Sequence, residues 1–271
     1  MLTRQFRIIV AYTARRTGLE ATAQARLSLE QQRQKLLADI RSFNDDAKRF
    51  LPPETFNGAH LDNSVAQLGE EWDALENFTT SDTIPGADPT RAEHRPIALP
   101  SILGSAFLKT HQLRPLALKE RALREGDMNE ALLGLRTGIG YKSYLYYVKI
   151  RNASSFRARL RSFDDIHLTD STITKHIRTY MQARSAYQRL FDLTDREDRG
   201  AHDKAMRRYQ AVEKEDLRVN TTVVEPFSTG LRDLHASWFW KLGDGNSDGA
   251  PEPAFVHQRT YLMLIDVPCP V

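Results

Sequence analysis

Two stretches of this chain repeat an apolar residue at every seventh position. Leu29, Leu36, Phe43 and Phe50 form the first series, with Ile40 and Ala47 at the alternate seam position. Ile166, Ile173, Tyr180 and Tyr187 form the second, with Ile177 and Phe191 filling the alternate positions. Spacings of three and four gather side chains on one stripe of a helix. Each stretch therefore predicts a long helix whose stripe needs a helical neighbour. The first helix is expected over about residues 14–50 and is stopped by Pro52 and Pro53. The second is expected over about 165–193. Asp164 and Asp165 open it, because negative charge suits the positive end of a helix dipole. The first series holds only about three clean heptads, which a coiled coil and a helical bundle satisfy equally.

A third stripe follows Pro115. Met128, Leu132, Leu135, Ile139, Tyr146 and Ile150 share one helical face. Gly134, Gly138 and Gly140 interrupt it, each weakening a helix by roughly 1 kcal/mol relative to Ala, so a break is expected near residues 138–140. Shorter helices are expected over 54–78, around Val65, Leu68, Trp72 and Leu75, and over 204–218, with Ala205, Tyr209 and Val212 inward. Thr221–Val224 reads as a brief extended piece.

The expected fold is all-α: an elongated multi-helix bundle with a long heptad-bearing N-terminal helix. Its segments are an N-terminal helical arm (1–78), a Pro-rich linker (79–114), a helical domain (115–242) and a disordered tail (243–271) rich in Gly, Asp, Ser and Pro.

Charge is distributed unevenly along this frame. The total is nearly balanced, 38 Lys and Arg against 35 Asp and Glu. Residues 51–98 carry two cations against nine acids, whereas residues 131–163 carry seven cations and no acid. Those seven are Arg136, Lys142, Lys149, Arg151, Arg157, Arg159 and Arg161. Tyr141, Tyr144, Tyr146, Tyr147, Phe156 and Phe163 lie among them. Cations attract phosphate oxygens and flat rings stack on bases, so the seven are the candidate nucleic-acid contacts and a polyanion the candidate partner. The bland alternative is a solvated helix face whose tyrosines pack inward. Arg157, Arg159 and Arg161 would share a face only on an extended segment; on a helix they fan out.

Other chemistry is poorly served. Cys269 is the only cysteine, which excludes a disulfide framework and a cysteine zinc site and fits a reducing compartment. Residues 6–12 are apolar but too short to span a membrane. The acid pairs Asp45/Asp46, Glu70/Glu71 and Asp164/Asp165 read as solvated or capping groups. His167 with Asp170 lacks a third ligand or a nucleophile. There is no Gly-rich phosphate loop, no zinc-protease motif and no nucleophile elbow. Ser237–Trp240 reads as a terminal segment buried on the helical core.

Several short blocks resemble one family in consistent order over residues 20–242. They are 40–44 (IRSFN), 49–53 (RFLPP), 123–132 (LREGDMNEAL), 135–136 (LR), 141–143 (YKS), 149–152 (KIRN), 214–217 (KEDL), 225–226 (EP) and 237–240 (SWFW). Together they look like the region downstream of the catalytic core in fungal KDZ (Kyakuja–Dileera–Zisupton) transposases. The resemblance implies a relation to DDE enzymes, in which three acids hold two divalent metal ions for phosphoryl transfer. The family's acidic motifs precede the helical region, and neither they nor its cysteine cluster occur in this sequence. After Lys241 the likeness stops. The chain thus looks like a C-terminal transposase piece truncated at both ends, and no catalytic residue, metal or cofactor carries over. The expectation is a non-catalytic helical protein that contacts DNA or helps assemble a DNA complex, in the nucleus. The alternatives are a helical interaction or oligomerisation protein that never touches nucleic acid, with its heptad helices as the means of self-association, and a relic of a mobile element with no function; the alternative location is the cytoplasm.

Overall fold

The computed structural model describes residues 2–17, 22–56, 92–95, 97–150, 155–217, 237–240 and 242. It is all-α, with six α-helices and no strand among those residues. They are α1 (Leu2–Arg16), α2 (Ala23–Ala47), α3 (Pro100–Thr110), α4 (Arg114–Tyr144), α5 (Phe156–Gln188) and α6 (Arg196–Arg208). The expected helix over 54–78, the extended piece at Thr221–Val224, Cys269 and the tail lie outside the described residues.

The chain divides into two compact units: residues 1–128 with 178–202, and residues 129–177 with 203–271. The division runs through α4, α5 and α6.

In the first unit, α2 carries the N-terminal heptads. Leu29, Leu36 and Ile40 are buried with Val10, Ala92 and Ile97, and Phe6, Ala14, Leu37 and Phe43 pack against that cluster. Phe6, Val10 and Ala14 are four residues apart, so α1 lays one stripe along the seam of α2. The heptad seam is thus occupied within the chain. Fully burying a side chain such as Leu36 contributes roughly 1.5–3 kcal/mol.

Two details differ from the sequence reading. The first helix is two helices, because Thr22 starts α2 afresh: its Oγ1 accepts the N–H of Ala25 at 3.2 Å, an N-cap. Helix α2 then stops at Ala47, short of Phe50. Phe50 falls out of phase with the stripe and is 69% exposed, while Leu51 turns inward.

The stretch expected as a linker is core from residue 92 onward. Ala92, Ile97, Ala98, Leu103 and Leu108 are buried. Pro100 opens α3, where its missing N–H costs nothing. Glu120 on α4 then completes that helix end. Its carboxylate accepts the N–H of Ser101 at 2.8 Å and the Ser101 hydroxyl at 2.7 Å. The same carboxylate accepts Nε and Nη2 of Arg124 at 2.9 and 2.7 Å. All three residues are buried.

In the second unit, α4 runs through the segment where a break was expected. Helix α4 is continuous past Gly134 and Gly138. A Cβ at Gly138 would lie 2.7 Å from Cγ1 of Ile173, and one at Gly134 would enter the His176 ring. These glycines are four apart on one face, so they form a slot for the side chains of α5 rather than a break. Met128, Leu132, Leu135 and Ile139 are buried as their spacing requires.

After Tyr144 the winding changes to a π-helix over Leu145–Ile150. Bonds from i to i+5 put an extra residue into the turn and rotate the stripe. Leu145 takes the inward place, and Tyr146, expected inward, is 38% exposed.

Helix α5 begins at Phe156, more than two turns before the expected start, so Asp164 and Asp165 lie inside it. Its apolar series holds: Ile166, Ile173, Ile177, Tyr180 and Tyr187 are all buried. The helix expected over 204–218 is instead α6 at Arg196–Arg208, so Tyr209 and Val212 lie beyond its end, where both are buried.

Candidate nucleic-acid interface

The seven cations of residues 131–163 have different fates. Arg136 projects from α4 and holds the carbonyls of Phe239 and Leu242. Its Nε donates to the carbonyl of Phe239 at 2.9 Å, its Nη2 donates to the same oxygen, and Nη2 also donates to the carbonyl of Leu242 at 2.9 Å. Of the segment Ser237–Trp240, expected to be buried, Phe239 is fully buried, while Ser237, Trp238 and Trp240 are half-buried.

Lys142 donates to Asp170 at 2.5 Å, and Lys149 donates to Asp165 at 2.9 Å. The hydrogen bond to Asp165 holds the Lys149 ammonium above its ordinary pKa. Both carboxylates lie on α5, beyond the acid-free window, and α5 brings them back to the end of α4. The uninterrupted seven-cation band expected from the sequence therefore does not form. A local charge count cannot see partners that tertiary structure supplies.

Arg151 lies outside the described residues. Arg157, Arg159 and Arg161 remain, all exposed, on the first two turns of α5. None forms an ion pair with a described residue. They fan out as a helix dictates: at about 100° per residue, Arg157 and Arg161 stand about 40° apart, while Arg159 lies on the other flank. The first turn holds no acid. A cation in the first turn opposes the helix dipole at roughly 0.3–1 kcal/mol, an effect that bears on Arg157 most and has faded by Arg161. The exposed Asp164, about one turn on from Arg161, is the nearest acid that α5 places on its surface, and no ion pair among the described residues links the two.

Between the arginine flanks runs an apolar stripe that the sequence reading did not isolate. Phe156, Leu160 and Phe163 are spaced four and three apart, and all are exposed, Phe156 by 76%. The opposite face carries Ser162, Ile166 and Thr169 inward. The signal for this stripe was present in the spacing, but the helix had been expected to start too late to include it. Nearer the end of α4, the rings of Tyr141 and Tyr144 lie 6.2 Å apart with planes inclined at 23°.

The remaining candidates carry less. His167 is exposed, and Asp170 is committed to Lys142. No group of three or more His, Cys, Asp or Glu residues is placed to hold a metal ion among the described residues. No helix among them is long and apolar enough to cross a membrane.

In the first unit a cavity of about 500 Å³ is floored by Leu108, Ala117 and Leu190 and rimmed by Lys109, Arg114, Arg121, Asp192, Asp195 and Asp198. Three cations meet three acids there. Arg121 grips Asp198 through two bonds of 3.1 and 3.0 Å, and its guanidinium lies 3.9 Å from the centre of the Phe191 ring. Hydrogen bonds from the Thr194 hydroxyl and from Lys109 hold the Asp192 carboxyl down at about 2. These charges satisfy one another and knit α3, α4 and α6 together.

No protein-family model, no curated protein and no solved structure matches the chain.

Proposed function

We propose that this chain is a non-catalytic helical module that contacts DNA phosphates through Arg157, Arg159 and Arg161 at the start of α5. The observation that supports this reading is their exposure without an ion-pair partner among the described residues, at a helix end whose dipole repels Arg157 most. Phosphate neutralisation supplies the counter-charge they lack. Arg136, Lys142 and Lys149 hold the frame that presents them. The ordered sequence blocks similar to KDZ transposases agree with a part that binds or assembles a DNA complex in the nucleus while the reaction is carried elsewhere. Oligomerisation through the N-terminal heptads has less support, because Leu29, Leu36 and Ile40 are buried against α1.

The test is an electrophoretic shift with short DNA at low and at high salt, run beside a nicking assay with Mg²⁺ and Mn²⁺. The expected result is a complex at low salt that dissolves as salt rises, with no metal-dependent cleavage. Absence of a complex at low salt would overturn the binding half of the proposal, and a nick mapped to this chain's acids would overturn the other.

A further inference from the structure

Resting on that reading, the geometry points to single-stranded DNA, rather than duplex, as the form the α5 surface takes. The outward stripe between the arginines is Phe156, Leu160 and Phe163, with Phe156 76% exposed and Phe163 40%. A helix that reads duplex DNA presents hydrogen-bonding side chains to base edges in a groove, while the flat faces of the bases stay stacked and out of reach. This stripe has no donor or acceptor to offer an edge. It offers two rings, and a ring gains most from the face of an unstacked base.

The placement of charge agrees. Arg157 and Arg161 line one side of the stripe about one turn apart, and Arg159 lines the other. A strand running along α5 can set bases on Phe156 and Phe163 while its phosphates meet arginines on either flank. The rings sit about 10.5 Å apart along the helix axis, seven residues at 1.5 Å each. That is room for bases splayed from one flexible strand, not for neighbours held in a duplex stack. A basic helix with an apolar stripe is also the pattern of a membrane-surface helix. Here the stripe spans only about two turns and two of its three members are rings, which favours stacking.

The experiment uses the full chain and a labelled oligonucleotide of mixed sequence. Anisotropy is measured for the single strand, for the same strand in a duplex and for the matching RNA strand, with anionic phosphatidylserine vesicles as a fourth arm. The expected order is single-stranded DNA tighter than duplex, with no vesicle binding at the same ionic strength. Phe156→Leu and Phe163→Leu keep an exposed apolar side chain but remove the flat ring. Each should weaken the single strand roughly fivefold or more and leave duplex affinity unchanged. Helicity by circular dichroism confirms that the variants fold.

Duplex bound as tightly as the single strand, or leucine variants with undiminished affinity, would overturn this inference while leaving DNA contact standing. RNA bound tenfold tighter than DNA would overturn the choice of DNA. Binding of vesicles but of no oligonucleotide would overturn both this inference and the reading beneath it.

Discussion

Lys142 on α4 and Asp170 on α5 form an ion pair of 2.5 Å, with about a fifth and a third of their side chains exposed. That pair removes one of the candidate cations from the surface available to a ligand. Partly exposed pairs contribute up to about 1 kcal/mol. Lys142→Ala should therefore lower stability by that amount or less in urea unfolding and leave the salt dependence of DNA binding unchanged. A flattened salt slope in this variant would show that Lys142 reaches phosphate after all.

Glu120 is the acceptor in a buried network that also holds Ser101 and Arg124. Removing one member of a buried pair leaves the other charge uncompensated, at about 3–5 kcal/mol. Glu120→Ala should cost that much and be the most damaging of the substitutions considered, because it also strips the start of α3 of its acceptor. Thermal or urea unfolding reads the loss directly.

For Gly134 and Gly138 two effects compete. Alanine gains about 1 kcal/mol of helix propensity. Against that, its Cβ would collide with His176 at one position and Ile173 at the other, and overpacking costs typically about 1–3 kcal/mol. The collision should win, so Gly134→Ala and Gly138→Ala both destabilise the chain. A gain in stability for either would mean that the slot between α4 and α5 is not closed.

His176 in that slot has its pKa pushed below the ordinary 6.5, first by burial and next by Lys175, with Glu130 opposing. The folded state thus prefers the neutral ring. Below the unfolded value the unfolded chain binds the extra proton more readily, so stability is full above about pH 6.5 and declines as pH falls toward the folded value. His176→Gln should flatten that part of the stability–pH curve. An unchanged curve would assign the acid sensitivity to other groups.

Much of the helical frame was legible in the sequence because burial in a helix leaves a period. Leu29, Leu36, Ile40, Ile166, Ile173, Ile177 and Tyr180 are inward as their spacing requires. What was missed lacks a period or depends on distant residues. Helix α1 is too short to show more than one apolar patch. Pro100 looks like a breaker, yet it starts α3. Gly134 and Gly138 read as weaknesses because propensity registers their entropy but not the side chains that fill the space above them. The cations at residues 131–163 were visible as a group. Their division into frame and surface was not, since Asp165, Asp170 and the carbonyls of Phe239 and Leu242 reach them only through the fold.

The most direct measurement is the salt dependence of single-stranded DNA binding for the parent chain and for the variant carrying Arg157→Ala, Arg159→Ala and Arg161→Ala. Each neutralised phosphate on a single strand contributes about −0.7 to the log–log slope. Three contacts predict a slope shallower by about two in the variant, with its helicity intact. An equal slope in parent and variant, or a parent chain that binds no DNA at low salt, would contradict phosphate contact at the start of α5.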